Sequence, residues 1–302
     1  MQNRLTGILA FVLCAALPTL PTWAAAQDYG DTPYVQTPQV VVDRMLEMAK
    51  VTAKDYLIDL GSGDGRLIIT AAKKYGARGF GVDLNKSLVT LSNRNAAKMG
   101  VANRAVFYER DLHETDITQA DVLTIYLLPE VNLMVRPRIL ALKPGTRLVS
   151  HDYGFGEWPP DVEIVMDAPG KPVGRDQKSK VMFWVVPSRV AGKWVWQDGG
   201  SVERYFELQL GQVFQKLTGT LTLAGRSAKI ENAVLTGEQI RFSATLDAGG
   251  KPVSYEFTGK VTNNAISGEM RRGGGAPDKW DATRTELREA RMTDLNPGVM
   301  AR

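Results

Sequence analysis

A glycine-rich turn flanked by carboxylates stands out in "YLIDLGSGDGRLII", residues 56–69, where Asp59 precedes Gly61, Gly63 and Gly65. Glycines directly after an apolar run let the backbone turn sharply and approach a ligand closely, because no Cβ intervenes. The spacing is G-x-G-x-G, distinct from the G-x-G-x-x-G of dinucleotide sites, and no G-K-[ST] follows, which excludes a triphosphate loop. A second acid, Asp83, closes "GFGVDL" 24 residues after Asp59. A carboxylate there can accept hydrogen bonds from both hydroxyls of a ribose. A third, Asp111, follows "AVFYER" and is trailed by Leu112. Each acid alone reads as an ordinary strand-end or capping residue. Together, at successive strand ends where open α/β sheets bind ligands, they point to a nucleoside-type ligand.

Two further stretches carry polar groups suited to a reacting partner. "TIYLLPEVN" offers Tyr126, Glu130 and Asn132, and "SHDYGFGEW" offers His151, Asp152, Tyr153 and Trp158. His151 and Asp152 have the types of a general base and its orienting acid; equally, His151 hydrogen-bonds a loop. Tyr153, Phe155 and Trp158 form either a cation-binding wall or the packing of a hinge to a second domain. His113 reads as polar surface. With no H-E-x-x-H and no cysteine pair, no metal site is expected.

These residues need a scaffold that sets strand ends side by side. Strand-like runs "YLIDL", "GFGVDL", "AVFYERDL", "DVLTIYLL" and "RLVSHDY" alternate with amphipathic stretches "RLIITAAKKYG" and "KSLVTLSNRNAAKMG". That alternation predicts an α/β sheet, largely parallel, with helices on both faces. "VEIVMD" and "KVMFWVV" complete it as late strands. Upstream, "QVVVDRMLEMAKV" has helical spacing, with Thr37 as its cap and Pro38 in the first turn. Past about residue 187 the pattern changes to short alternating runs separated by "AGG", "TNN" and "RRGGG". It predicts a small all-β domain over 190–286, a barrel or a sandwich. The remainder, 287–302, reads as a short helix or loose tail.

The 302 residues carry a net charge of +4 with no block of like charge, so no nucleic-acid footprint is expected. Residues 1–26 have the three parts of an export signal: Arg4, an apolar run from Leu5 to Leu20, and Ala24-Ala25-Ala26. The run is interrupted by Pro18 and Pro21 and is short for a membrane span, which needs about 20 residues. A cleaved signal would place 27–187 and the β domain in the periplasm and remove Cys14, the only cysteine. The other readings are a retained membrane anchor and a cytoplasmic protein with a misread start.

The loop with its leading acid resembles the first motif of class I S-adenosylmethionine-dependent methyltransferases. Over roughly Tyr34 to Pro160 the resemblance narrows: "PYVQTPQVVVDRMLEMAKV", "DLGSGDGR" and "GVDLNKSLV" are similar to seven-strand lysine methyltransferases. The eukaryotic members of that family act on the adenine nucleotide translocase and on the ATP synthase c subunit. The resemblance implies a Rossmann-like methyltransferase sheet in 27–187, S-adenosyl-L-methionine as cofactor, and a protein amine as acceptor. It assigns Asp59, Gly61, Gly63, Asp83, Leu84, Asp111 and Leu112 to the cofactor, with Asp111 on the adenine amino group. Tyr34 and Thr37 become lid contacts to its methionine end. Tyr126, Leu127, Leu128 and Pro129 stand where many amino-directed methyltransferases carry Asn or Asp, two prolines and an aromatic residue. Tyr126, His151 and Asp152 are the candidate catalytic residues, and Glu130, Asn132 and Trp158 the candidate acceptor-side ones. An envelope protein is one candidate substrate, with a peripheral membrane contact left open. Two other readings stay in play: an exported nucleoside-binding protein without turnover, and a small-molecule or lipid methyltransferase.

Overall fold

The computed structural model describes residues 34–198, 204–247 and 249–292. In it, β1 (Tyr56–Leu60), β2 (Arg78–Asp83), β3 (Ala105–Glu109), β4 (Val122–Ile125) and β5 (Arg147–His151) form parallel pairs. The late strands β6 (Val162–Asp167) and β7 (Lys178–Val185) add on antiparallel, β7 against β5. The order β3-β2-β1-β4-β5-β7-β6 reverses direction between β1 and β4. That switch point is where open α/β sheets leave a crevice for a ligand.

The central strands are buried on both faces, so they read as continuous apolar runs. Leu57, Val122 and Val149 share one core with α1 (Gln39–Met48), α2 (Arg66–Thr70) and α3 (Lys86–Lys98). α2 runs on as a π-helical turn, Ala71–Tyr75. On the other face, Ile58, Leu60, Leu123, Ile125 and Leu148 pack with α4 (Pro129–Ile139). The segments 110–121 and 152–161 contain no helix, so α4 covers this face without helical neighbours. Phe155, Trp158 and Trp184 complete the layer, together with Phe214 and Met292 from the second half of the chain.

The second half forms one antiparallel sheet of nine strands. These are β8 (Gly192–Asp198), β9 (Arg204–Val213), β10 (Lys216–Leu223), β11 (Arg226–Lys229), β12 (Glu231–Thr236), β13 (Gln239–Asp247), β14 (Pro252–Thr262), β15 (Ala265–Arg272) and β16 (Pro277–Leu287). Neighbours in sequence pair throughout, except at β11 and β12, and the last strand returns to pair with the first. The two strands at the seam, β11 and β12, are joined by Ile230 alone. The sheet therefore curls on itself as a barrel, not a sandwich. Alternate residues of β8 and β13 point inward, where Trp196 stacks on Phe206 at 5.0 Å and Trp280 meets Trp196 edge-on at 5.6 Å.

Two local expectations change. The N-cap of α1 is Pro38, with no side-chain cap; the Thr37 hydroxyl is engaged elsewhere, as described below. The chain beyond β16 is neither helical nor loose as far as residue 292. Arg291 exchanges backbone hydrogen bonds with Gln212 and Phe214 at the end of β9, and Met292 is buried against the first sheet. Residues 293–302 lie outside the described residues, as do 1–33 with the export segment and Cys14.

Candidate active site

The glycine loop is shaped by what presses on it. Gly61 and Gly63 both have left-handed φ, +78° and +53°. A Cβ on Gly63 would stand 2.5 Å from the Tyr34 ring, and one on Gly61 2.7 Å from Leu127. Any side chain here is thus excluded twice, by conformation and by space. Tyr34 and Leu127 each wall one glycine of the loop. The Asp83 carboxylate accepts the Gly63 N–H on Oδ2 and the Asn85 N–H on Oδ1, each at 2.9 Å. Every carboxylate oxygen has two acceptor sites, so both retain one for a ribose hydroxyl. The Ser62 hydroxyl is buried with no partner among the described residues, a polar atom that a bound ligand would satisfy.

Asp59 lies beneath this loop, 2% exposed, and accepts a hydrogen bond from Thr124 of β4 at 2.6 Å. Burial raises its pKa to about 7 against the lowering effect of Thr124, and nearby Asp83 and Asp64 raise it further. It forms the floor of the site. Asp64 has the opposite fate: burial alone would raise it, but hydrogen bonds and charge from Arg66 hold it below the ordinary range. Arg66 also donates to the Thr37 carbonyl at 2.5 Å, tying the lead-in to the loop.

Beyond the end of β3, Asp111 Oδ1 accepts the His113 N–H at 2.7 Å, which closes a turn and leaves Oδ2 for a ligand. Leu112 is half-buried beside it, whereas the Leu84 side chain is exposed.

At the ends of β4 and β5 a second group assembles. His151 has no exposed surface; its Nδ1 lies 3.2 Å from the Thr37 hydroxyl and its Nε2 2.8 Å from that of Ser179. Burial lowers its pKa to about 4, despite the opposing charge of Asp152. The imidazole is a neutral tie between the lead-in, β5 and β7, enclosed on all sides. Asp152, at a left-handed φ of 60°, accepts the Lys180 N–H at 3.0 Å. Its Oδ2 lies 2.7 Å from the Lys171 ammonium and 3.5 Å from the Tyr126 hydroxyl. The Tyr126 ring sits 4.0 Å from the imidazole and stacks with Tyr153 at 6.3 Å. Burial, then Asp152, raise the Tyr126 phenol well above its usual value.

Two of the three residues expected on the acceptor side are engaged elsewhere. Trp158 is 1% exposed; it stacks on Phe214 and donates to Gln215 at 3.1 Å, packing the junction with the barrel. Asn132 is fully buried and clamps the Tyr153 and Gly154 carbonyls at 3.2 Å. Glu130 is exposed in the first turn of α4. Conversely, Ser62, Arg66, Thr124, Ser179 and Lys171 take part without having been singled out. Thr124 had a signal, as the single hydroxyl in the buried run "VLTI". Lys171, in a polar loop, had none. Among the described residues no cluster of acids and histidines could hold a metal, and no helix could cross a membrane.

A family model described as the ANTKMT methyltransferase domain matches residues 59–162. A protein-lysine N-methyltransferase of Saccharolobus islandicus is 46% identical over 137 residues, which is 45% of this chain and 85% of that protein. The chain belongs to this methyltransferase family. The human lysine N-methyltransferase of the ATP synthase c subunit is 32% identical over 43% of this chain, which spans 55% of that protein. A solved RNA methyltransferase of Salinibacter ruber, in complex with S-adenosyl-L-homocysteine, is 45% identical, over 52% of this chain and 96% of that one, with a TM-score of 0.47. By that family membership the enzyme is an S-adenosylmethionine-dependent methyltransferase, and the loop fits that cofactor: stripped glycines, an Asp83 with acceptor capacity to spare, and a Ser62 hydroxyl without a partner among the described residues. The matched region ends before the barrel.

Proposed function

We propose that this methyltransferase acts on lysine amines of a protein. The observation that carries the reading is the Asp152 carboxylate, held at the end of β5 and flanked by the stacked rings of Tyr126 and Tyr153. Tyr126 directly precedes Leu127, the wall of the glycine loop, so this group adjoins the cofactor crevice. An incoming ammonium meets a counter-ion and aromatic faces there. The amine must lose its proton before it attacks, and Asp152 is placed to receive it. When bound, S-adenosylmethionine supplies an activated methyl group. The protein's part is to orient and desolvate the nitrogen. The His151 tie to Thr37 and Ser179 fixes the wall behind Tyr126 and gives it a positioning role. Relatives named as lysine N-methyltransferases of proteins support the same acceptor. No observation favours a nucleoside-binding protein without turnover, or a lipid acceptor.

The test is incubation of the full chain with labelled S-adenosylmethionine and poly-L-lysine, total cell protein, total RNA or a total lipid extract. Label in lysines, lost in Asp152→Asn with cofactor binding intact, is the expected outcome. Label confined to RNA or lipid would refute the reading. We further propose that residues 1–26 direct export; a reporter active only outside the cytoplasm, fused after Gln27, would stay silent if they do not.

A further inference from the structure

Lys171 is the one ion-paired lysine among the described residues whose side chain is nearly closed off from solvent. It is 9% exposed, whereas the others are 30% exposed or more. Lysine is almost never buried without a specific reason, because its ammonium is strongly hydrated. Here the chain leaves β6, turns through 168–177 and sends the Lys171 side chain back onto the sheet end. Its Nζ lies 2.7 Å from Asp152 Oδ2 and donates to the Lys178 carbonyl at 2.6 Å. The loop that delivers it is itself laced: Gln177 accepts from the Gly170 N–H at 2.7 Å and donates to the Lys171 carbonyl at 3.1 Å.

The carboxylate that Lys171 pairs with is the one assigned above to the acceptor amine, and the inference rests on that reading. We propose that Lys171 occupies the acceptor seat and is methylated there by the chain that carries it. The groups facing its Nζ are Asp152, the Lys178 carbonyl and, across Asp152, Tyr126 and His151. In the transfer, the ammonium gives one proton to Asp152, which passes it to solvent. The freed nitrogen pair forms the N–C bond as the methyl's C–S bond breaks, and the sulfur leaves as a neutral thioether. Each methyl added replaces an N–H donor. A fully methylated Lys171 can no longer donate to the Lys178 carbonyl, so the modification would loosen loop 168–177 and open the seat to an external lysine.

Two measurements on the full chain test this. In the first, the chain is incubated with labelled S-adenosylmethionine alongside poly-L-lysine, and its peptides are weighed. Methyl increments on the Lys171 peptide, at a rate per molecule independent of protein concentration and absent in Lys171→Arg, are expected. Label on poly-L-lysine but not on Lys171 overturns this inference while leaving the acceptor reading intact; label on neither overturns both. The second needs no cofactor. Calorimetric binding of n-butylammonium should be roughly tenfold tighter in Lys171→Met than in the parent, a change equal to one hydrogen bond to a charged group. Equal or weaker binding would mean that Lys171 only latches its loop, and would overturn the proposal.

Discussion

The two sheets of this protein bury their residues by opposite rules. In β1, β4 and β5 nearly every side chain is covered, polar ones included: Asp59, Thr124, Ser150 and His151 are all buried at strand ends. In the barrel, only alternate residues turn inward, and the core is almost wholly apolar and aromatic. A buried polar group is costly unless partnered, so a fold keeps it where something is gained. The contrast places chemistry in the first sheet and cohesion in the second.

The strongest way to break that contrast is Trp280→Ala. The ring packs against Phe257, Trp196 and Phe242 at 5.0–5.7 Å, and its loss should cost about 3–5 kcal/mol in denaturant unfolding. Cofactor affinity of the folded protein should not change; a parallel loss would show that the barrel shapes the site.

A pH titration of stability comes next. His151 is held near a pKa of about 4 in the fold, below the unfolded value near 6.5. Between those values the unfolded chain binds the extra proton, so stability should be complete above pH ~6.5 and fall by on the order of 3 kcal/mol as pH drops towards 4. His151→Gln should flatten that limb. If the slope persists, the burial of the imidazole is not its source.

Asp83→Ala should weaken S-adenosylmethionine binding by roughly 1.5–3 kcal/mol, the weight of hydrogen bonds to a charged group. Calorimetry showing unaltered affinity would remove Asp83 from the ribose site. Asp59→Asn is predicted to raise the melting temperature at pH 8 more than at pH 5. Above about pH 7 the parent carries a buried charge there, and the amide oxygen still accepts from Thr124. An equal shift at both pH values would contradict that account. Smallest of all, Lys279→Ala removes an exposed partner of Asp281 on the barrel surface and should leave the melting temperature unmoved.

Much of this was legible in the sequence because it is written locally. Glycine spacing, strand-end acids and the switch from mixed α/β to period-2 alternation are short-range signals, and each maps onto an observed element. What escaped depends on partners distant in sequence. Thr37 looks like a helix cap until His151, 114 residues away, is seen to engage its hydroxyl. Trp158 looks available to an acceptor until Phe214 is seen to cover it. Lys171 is one basic residue among several in its loop. Only the fold brings it to Asp152.

The order of synthesis gives the junction a further meaning. Phe214 and Met292 finish the second face of the methyltransferase sheet, and Met292 is added to the growing chain 106 residues after Val186. At ~5–20 residues per second, the nascent sheet would wait roughly 5–20 s with Trp158 and its neighbours open to water. The barrel cannot shorten that interval, since its first strand closes only against its last. A chain released before that point would present an aromatic, adhesive surface. Folding factors would therefore meet this protein late in its translation, at a completed sheet still missing its cover.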